Sequence, residues 1–434
     1  MSSIIENKKI TALAQGVKLI GIGKHGSKKL PDELIVEITN ELQSGNCPTI
    51  LTGAFFGALM MKEIETSYLL LEEYSGNGSL KDASILWDNL FADAPARMKP
   101  IGVKLLNKET LTEEEAKTLG LFLFSDEKGE GFRGMAVSVL RIRYETDEEY
   151  KGLYDAIVEK TSDLKISFDN NPIIQLAEPF DGMEHSYLTT PIIANELQKS
   201  GYNVVVSCGR SSGPKITLNT WDVYKALNAN FLTTTNTSPS FPEPVEGKKR
   251  TEAYIPPYGW ALDQKDFFPK LDKWVDKRRI IMKRPFLATL EKILNPAKAN
   301  ILITSVFHIP YLEKMIGLGF MAGFNAVIVL KRGLEGSLAP SLSKATGILC
   351  GVKLKDGSIV TQNFDTNNER YASFKSTTDE VIEPLTLKSN IDYIHRYLSE
   401  GKTRDNDFDL RIKLSIALYN EGLDWINKIQ QEDK

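Results

Sequence analysis

Two short apolar runs, at 173–176 and 204–206, flank a stretch at 189–197 whose apolar residues keep the spacing of a helix lying on a sheet. Strand, polar loop, helix, strand, polar loop, helix is the pattern of a parallel α/β unit. In such units ligands bind beyond the carboxyl ends of the strands. Those ends are the loops 177–186 and 207–215, which makes them the first candidates for a small-molecule site.

The same alternation returns downstream. A strand is expected at 299–305, a helix at 310–318, a further strand at 326–330 and a loop at its carboxyl end, 331–337. The run VKLKDGSIVTQNF predicts a hairpin turning at Asp356 and Gly357. Helices are expected at 266–279, where Phe267, Leu271 and Trp274 keep helical spacing, and at 391–398 and 409–430. Between the two halves, 232–262 is rich in Thr, Ser, Pro and Gly and reads as a long ordered loop or a lid.

The N-terminal third has a different character. Gly21, Gly23 and Gly26 spell GxGxxG, but Lys28, Lys29, Leu30 and Pro31 follow it instead of a helix opening on the glycines. A glycine turn before a helix opening at Pro31 and Asp32 is the better reading. An internal repeat comes next. Leu30, Glu33, Leu42, Gly53 and Leu59 fall opposite Leu111, Glu114, Leu123, Gly134 and Leu140 without a gap. Each copy reads as two helices joined by a turn, and two copies are too few for a solenoid. The expected division is an all-α domain at 1–164, with hairpin copies at 30–66 and 111–149, and an α/β domain at 165–434. The repeat is expected to form a homodimer surface.

Length and charge set outer limits. A chain of 434 residues holds two or three domains, and a net charge of −4 exerts no general pull toward nucleic acid. The three cysteines, Cys47, Cys208 and Cys350, have no metal or redox spacing and suit a reducing compartment. No apolar run has the length of a membrane span and the start has no signal-peptide pattern, so the cytoplasm is the expected location.

Several motifs now resemble glycosyltransferase family 3, the family of the anthranilate phosphoribosyltransferases. The copy at 111–152 is similar to that family's N-terminal helical motif, with Leu140, Arg141, Ile142 and Arg143 and then Glu145 to Glu149. The family's GTGGDG phosphate loop and N-x-S-T helix start fall on 177–182 and 187–190, where Asp181, Gly182 and Thr190 match. Its KHGNR loop falls on 207–211 and keeps Gly209; its ADVLEAL helix is WDVYKAL here. The H-P pair falls on Phe268 and Pro269, the anthranilate-contacting arginine on Arg278, and R-T-x-x-N on Arg284 onward. The D-G-L-D-E magnesium loop becomes Arg332, Gly333, Leu334, Glu335, Gly336, and Ala417, Leu418 and Tyr419 resemble the A-A-L-Y helix. The resemblance covers about residues 100–434, plus the duplicated hairpin.

The resemblance implies a nucleoside phosphorylase/phosphoribosyltransferase-like fold, with a central, mostly parallel sheet flanked by helices. It implies a phosphorylated ribose or nucleotide-type ligand in a cleft between domains. Residues expected at that ligand are Asp181, Gly182, His185, Thr189, Thr190, Gly209, Arg210, Arg278, Arg284 and Arg332. Glu335 is the one carboxylate kept for Mg²⁺, with an exposed loop carboxylate as the plain alternative. Asp181 reads equally as a turn or helix-cap aspartate, and His185 reads as a group that polarises a ligand or acts as a base, with an incidental loop histidine as the plain alternative. No catalytic residue is assigned. Glu178 puts negative charge where phosphate should sit, and Pro179 removes a donor N–H; phosphoribosyl transfer to anthranilate is not expected from such a loop. A second expectation is a non-catalytic relative that binds nucleic acid through the local basic cluster of Arg278, Arg279, Lys283 and Arg284, with Lys248, Lys249 and Arg250. Tyr254, Tyr258, Trp260 and Trp274 lie among those charges.

Overall fold

The computed structural model describes residues 11–21, 28–159, 168, 171–213, 215–234, 256–379 and 381–433. The chain divides into two units, Met1–Lys160 with Lys273–Thr289, and Thr161–Asp272 with Leu290–Lys434. A single cut at 164 misses the second segment of the helical unit. That segment is pinned there by its own side chains: the buried Trp274 donates its indole N–H to the Leu123 carbonyl, and Lys273 and Lys277 pair with Asp126 and Glu130.

The helical unit contains α1 (Ala12–Ile20), α2 (Asp32–Gln43), α3 (Thr49–Met60), α4 (Glu72–Ser75), α5 (Ala83–Leu90), α6 (Lys99–Leu106), α7 (Glu113–Leu123), α8 (Glu130–Arg143) and α9 (Asp147–Val158). Helix α2 opens after Pro31 as expected. Capping boxes at Thr112/Glu115 and Thr146/Glu149 fix the starts of α7 and α9. The expected hairpin copies are α2–α3 and α7–α8. Ile50 to Met60 on α3 are all buried, so this helix is apolar on every side because it is core. Of the GxGxxG, only Gly21 falls within the described residues; Gly23, His25 and Gly26 lie outside them.

In the α/β unit come β1 (Ile173–Ala177), α10 (Thr190–Lys199), β2 (Asn203–Cys208), α11 (Thr220–Ala226), β3 (Phe231–Leu232), β4 (Trp260–Asp263) and α12 (Gln264–Phe267). The chain then runs through α13 (Pro269–Ile281), most of which belongs to the helical unit, and α14 (Leu287–Ile293), and the α/β unit continues with β5 (Ile301–Val306), α15 (Tyr311–Met321), β6 (Ala326–Lys331), β7 (Gly347–Lys353), β8 (Ile359–Asp365), α16 (Leu387–Glu400) and α17 (Asn406–Glu432). The strands form one sheet in the order β3-β4-β2-β1-β5-β6-β7-β8, parallel from β3 to β6 and antiparallel beyond. This is the mostly parallel sheet flanked by helices that the sequence implies. Its core joins Ile174, Leu176, Val204, Val206, Ile303 and Ile328 to Leu414, Leu418 and Ile426 of α17.

Two expectations need correction. The helix expected at 266–279 is two helices, α12 and α13, because Pro269 has no N–H to continue the first. The segment 232–262 ends in strand β4, which pairs with β2 and β3; residues 235–255, on which the lid reading rests, lie outside the described residues. Among the described residues no helix is long and apolar enough to cross a membrane.

Candidate functional site

Strand β1 pairs with β2 on one side and β5 on the other, so the chain's direction of travel across the sheet reverses there. A crevice at the carboxyl ends of such a strand pair is the usual ligand position in an open α/β sheet. The loops around this point are those after β1, β2, β5 and β6.

The loop after β6 is held in an uncommon conformation. Arg332 and Glu335, neither of them glycine, have φ of 57° and 50°, and Gly336 has φ of 88°. The loop is anchored by Arg332 N–H to the Val306 carbonyl, Leu334 N–H to the Ala339 carbonyl, and the Ser305 hydroxyl to the Gly336 carbonyl. This turn aims the Glu335 carboxylate at the loop after β1. Consecutive backbone N–H groups of Glu184 and His185 donate to its two oxygens at 2.9 and 2.8 Å, and Lys215 pairs with it. Burial works against the charge, but the Lys215 hydrogen bond and the two amides hold the carboxyl below the usual carboxylate range. Two adjacent amides and an ammonium are an anion cradle. A carboxylate of the protein itself lies in it.

A second internal carboxylate lies deeper. Glu178 is buried; the Thr190 hydroxyl donates to it at 2.8 Å, the Thr220 hydroxyl also bonds it, and the Leu338 N–H donates at 3.3 Å. Burial pushes its pKa up, against these three partners. Thr190, expected to hold phosphate, therefore holds Glu178. Thr189 is buried at the N-cap of α10 and makes no side-chain capping bond.

The loops after β1 and β2 are fastened together. Asn219 opens α11 with a capping box and its amide donates at 2.8 Å to the carbonyls of both Phe180 and Gly209. Asp181 is buried, and its carbonyl accepts from the Thr217 hydroxyl at 3.1 Å. Gly182 has φ of 90°, and a Cβ there would fall 2.6 Å from two carbonyl oxygens, so only glycine fits. Arg210 grips Asp272 through Nε and Nη2, with further donation to its carbonyl at 3.0 Å, and that pairing supplies its counter-charge. His185 lies at the surface with Nδ1 3.4 Å from Glu383. Arg332 is exposed, and among the described residues its guanidinium has no partner.

Arg278 and Arg284 belong to the helical unit. Arg278 is 1% exposed and Lys283 5%, so these two are not part of a solvent-facing basic groove. Burial, with Arg141 and Lys62 nearby, brings the Lys283 amine down to about 7. Lys248, Lys249, Arg250 and Tyr254 lie outside the described residues.

The donors at Glu335 do not fit Mg²⁺. A hard cation needs several oxygens, whereas the one carboxylate here is bound to an ammonium and two N–H groups, with Gly336 next in the chain. Among the described residues no group of three or more His, Cys, Asp and Glu gathers.

Sequence reasoning missed Lys215, Asn219 and Thr220 as site residues. The capping pattern Asn219-x-x-Asp222 was the available signal for Asn219. It also passed over Phe307, 60% exposed, which opens the loop after β5.

No family model matches the chain. An uncharacterized protein of Aquifex aeolicus (strain VF5) is 23% identical over 240 residues, 55% of this chain and 68% of that protein. The anthranilate phosphoribosyltransferase of Geobacillus sp. (strain WCH70) is 23% identical over 335 residues, 75% of this chain and 88% of the enzyme. Among solved structures, the anthranilate phosphoribosyltransferase of Thermus thermophilus superposes with a TM-score of 0.50 at 17% identity, covering 74% of this chain and 93% of its own. The Saccharomyces cerevisiae enzyme in complex with PRPP and Mg gives 0.51 at 13% identity, covering 73% and 86%. The likeness at these identities is one of fold.

Proposed function

We propose that this chain, which has the anthranilate phosphoribosyltransferase fold, binds a phosphorylated ribose or nucleotide-type ligand at the carboxyl-end loops of its α/β unit. The phosphate takes the place that Glu335 holds, on the amides of Glu184 and His185 and the Lys215 ammonium. One observation carries this reading: a half-buried carboxylate on a strained loop lies in donors suited to a phosphate. Both groups are anionic oxygens, so one substitutes for the other without a change in the cradle. Arg332, exposed on the same loop, adds a cation.

The ligand class follows from the difference between the two internal carboxylates. Glu335 is partly exposed and can exchange; Glu178 is 2% exposed and keeps Thr190, Thr220 and the Leu338 amide. One exchangeable anion position suits a phosphomonoester. A pyrophosphate leaving group needs a second position, and the loop that would supply it is filled. Binding is therefore independent of Mg²⁺, and phosphoribosyl transfer is not the reading these residues favour. The setting is a soluble, membrane-free one in the cytoplasm.

Calorimetric titration tests this with ribose 5-phosphate, and with PRPP in the presence of Mg²⁺. Saturable, metal-independent binding of ribose 5-phosphate that weakens in Lys215→Ala is expected. Binding of PRPP only, and only with Mg²⁺, contradicts it.

A further inference from the structure

The second helices of the duplicated hairpin, α3 and α8, cross through contacts that are unchanged when the two copies are exchanged. A Cβ on Gly53 would lie 1.8 Å from the Gly131 carbonyl oxygen, and one on Gly134 would lie 1.9 Å from that of Ile50. The alignment that pairs Gly53 with Gly134 pairs Ile50 with Gly131. These are one contact seen from both sides. Ser138 donates to the Ala54 carbonyl at 2.7 Å; its counterpart Gly57 would place a Cβ 2.7 Å from the carbonyl oxygen of Met135, the counterpart of Ala54.

The two copies also match within themselves. Leu30 N–H donates to the Tyr68 hydroxyl at 3.3 Å, and Leu111 N–H donates to Glu149 Oε1 at 2.9 Å. Leu30 matches Leu111 in the repeat, and at the same offset Tyr68, just past the end of the first copy, falls opposite Glu149. The same backbone donor thus finds the same position in each copy, with a different side chain supplying the oxygen.

In a two-fold interface between identical subunits, residue i touches j and j touches i. Helices packed without that relation have no cause to repeat each contact in reverse. We infer that the helical unit is a two-fold interface folded inside one chain. The first hairpin occupies, in cis, the face through which the second would take another copy, so the chain is a monomer in solution. The burial agrees: Ile50 to Met60 on α3 and Gly131 to Leu140 on α8 are covered, which leaves no apolar stripe on either helix for a partner. The homodimer expected from the repeat has no free face on α3 or α8 to use.

Sedimentation velocity on the full chain over a dilution series tests the inference. A single species at the mass of one chain, 48.5 kDa, at every concentration is expected. A stable species of twice that mass overturns it. The wild-type protein is measured, so the result does not depend on a variant folding.

Discussion

Lys215 and Glu335 lie 120 positions apart in the sequence and form an ion pair that joins the loop after β2 to the loop after β6. In the sheet those strands are separated by β1 and β5, so the pair spans the crevice where the strand order reverses. An anion entering that crevice meets donors already bound to a carboxylate. On the proposed function the ligand displaces Glu335, and each residue on either side of that exchange has a distinct expected effect.

Lys215→Ala removes a charge-assisted donor, worth about 1.5–3 kcal/mol, and weakens ribose 5-phosphate binding by roughly tenfold or more. Arg210→Ala behaves differently. Its guanidinium is held by Asp272, so the variant loses thermal stability and keeps its affinity. Calorimetry and thermal melting on both variants separate the two roles; an affinity loss in Arg210→Ala equal to that in Lys215→Ala contradicts this division.

The two carboxylates give opposite pH effects. Glu335 is held below its ordinary range, so its contribution is present above the unfolded pKa and is lost as pH falls through the folded value. Glu178 is raised by burial, so its contribution is present below the unfolded pKa and is lost as pH rises through the folded value. Glu178→Gln should therefore melt higher than wild type by a margin that widens as pH rises from the acid side. A margin independent of pH shows that Glu178 does not titrate between the two states.

Lys283 gives a third pH signature. Its amine is lowered from 10.5 to about 7, so between these values the unfolded chain holds a proton that the folded chain lacks. Stability rises with pH across that window. Lys283→Met removes the slope and melts higher at neutral pH, which a series of melts from pH 6 to 10, roughly this window, reads directly. An unchanged slope contradicts the assignment.

Gly53→Ala and Gly134→Ala each drive a Cβ into the backbone of the facing helix. Each should cost about 2–3 kcal/mol, and the two costs should be similar because the sites are reciprocal. The double variant should lose less than the sum, since one separation of α3 from α8 relieves both clashes. Chemical denaturation of the three variants measures this.

Much of the fold could be read before any coordinates. Strands β1, β2, β5 and β6 are almost wholly buried and so stand out as short, mostly apolar runs, interrupted by Gln175 in β1 and by Thr304 and Ser305 in β5. Strands β3 and β4 do not: Phe231–Leu232 is two residues long, and Trp260–Asp263 ends in a carboxylate that caps α12. The repeat was legible, but its reciprocity was not, because which helix meets which is a tertiary fact. The site divides in the same way. Gly182 was found because it matches the family's phosphate loop, and Glu178 because its charge conflicts with such a loop; that Gly182 has a left-handed φ is a fact of the fold. That Lys215 meets Glu335, or that Asp272 neutralises Arg210, depends on contacts across the sheet that no local pattern encodes.

The most direct measurement compares ribose 5-phosphate affinity in wild type and Glu335→Gln under identical conditions. Removing the resident charge leaves Lys215 and the two amides without an anionic competitor, so the variant should bind about tenfold more tightly. Equal or weaker binding in Glu335→Gln would show that Glu335 does not stand in the place of a ligand phosphate.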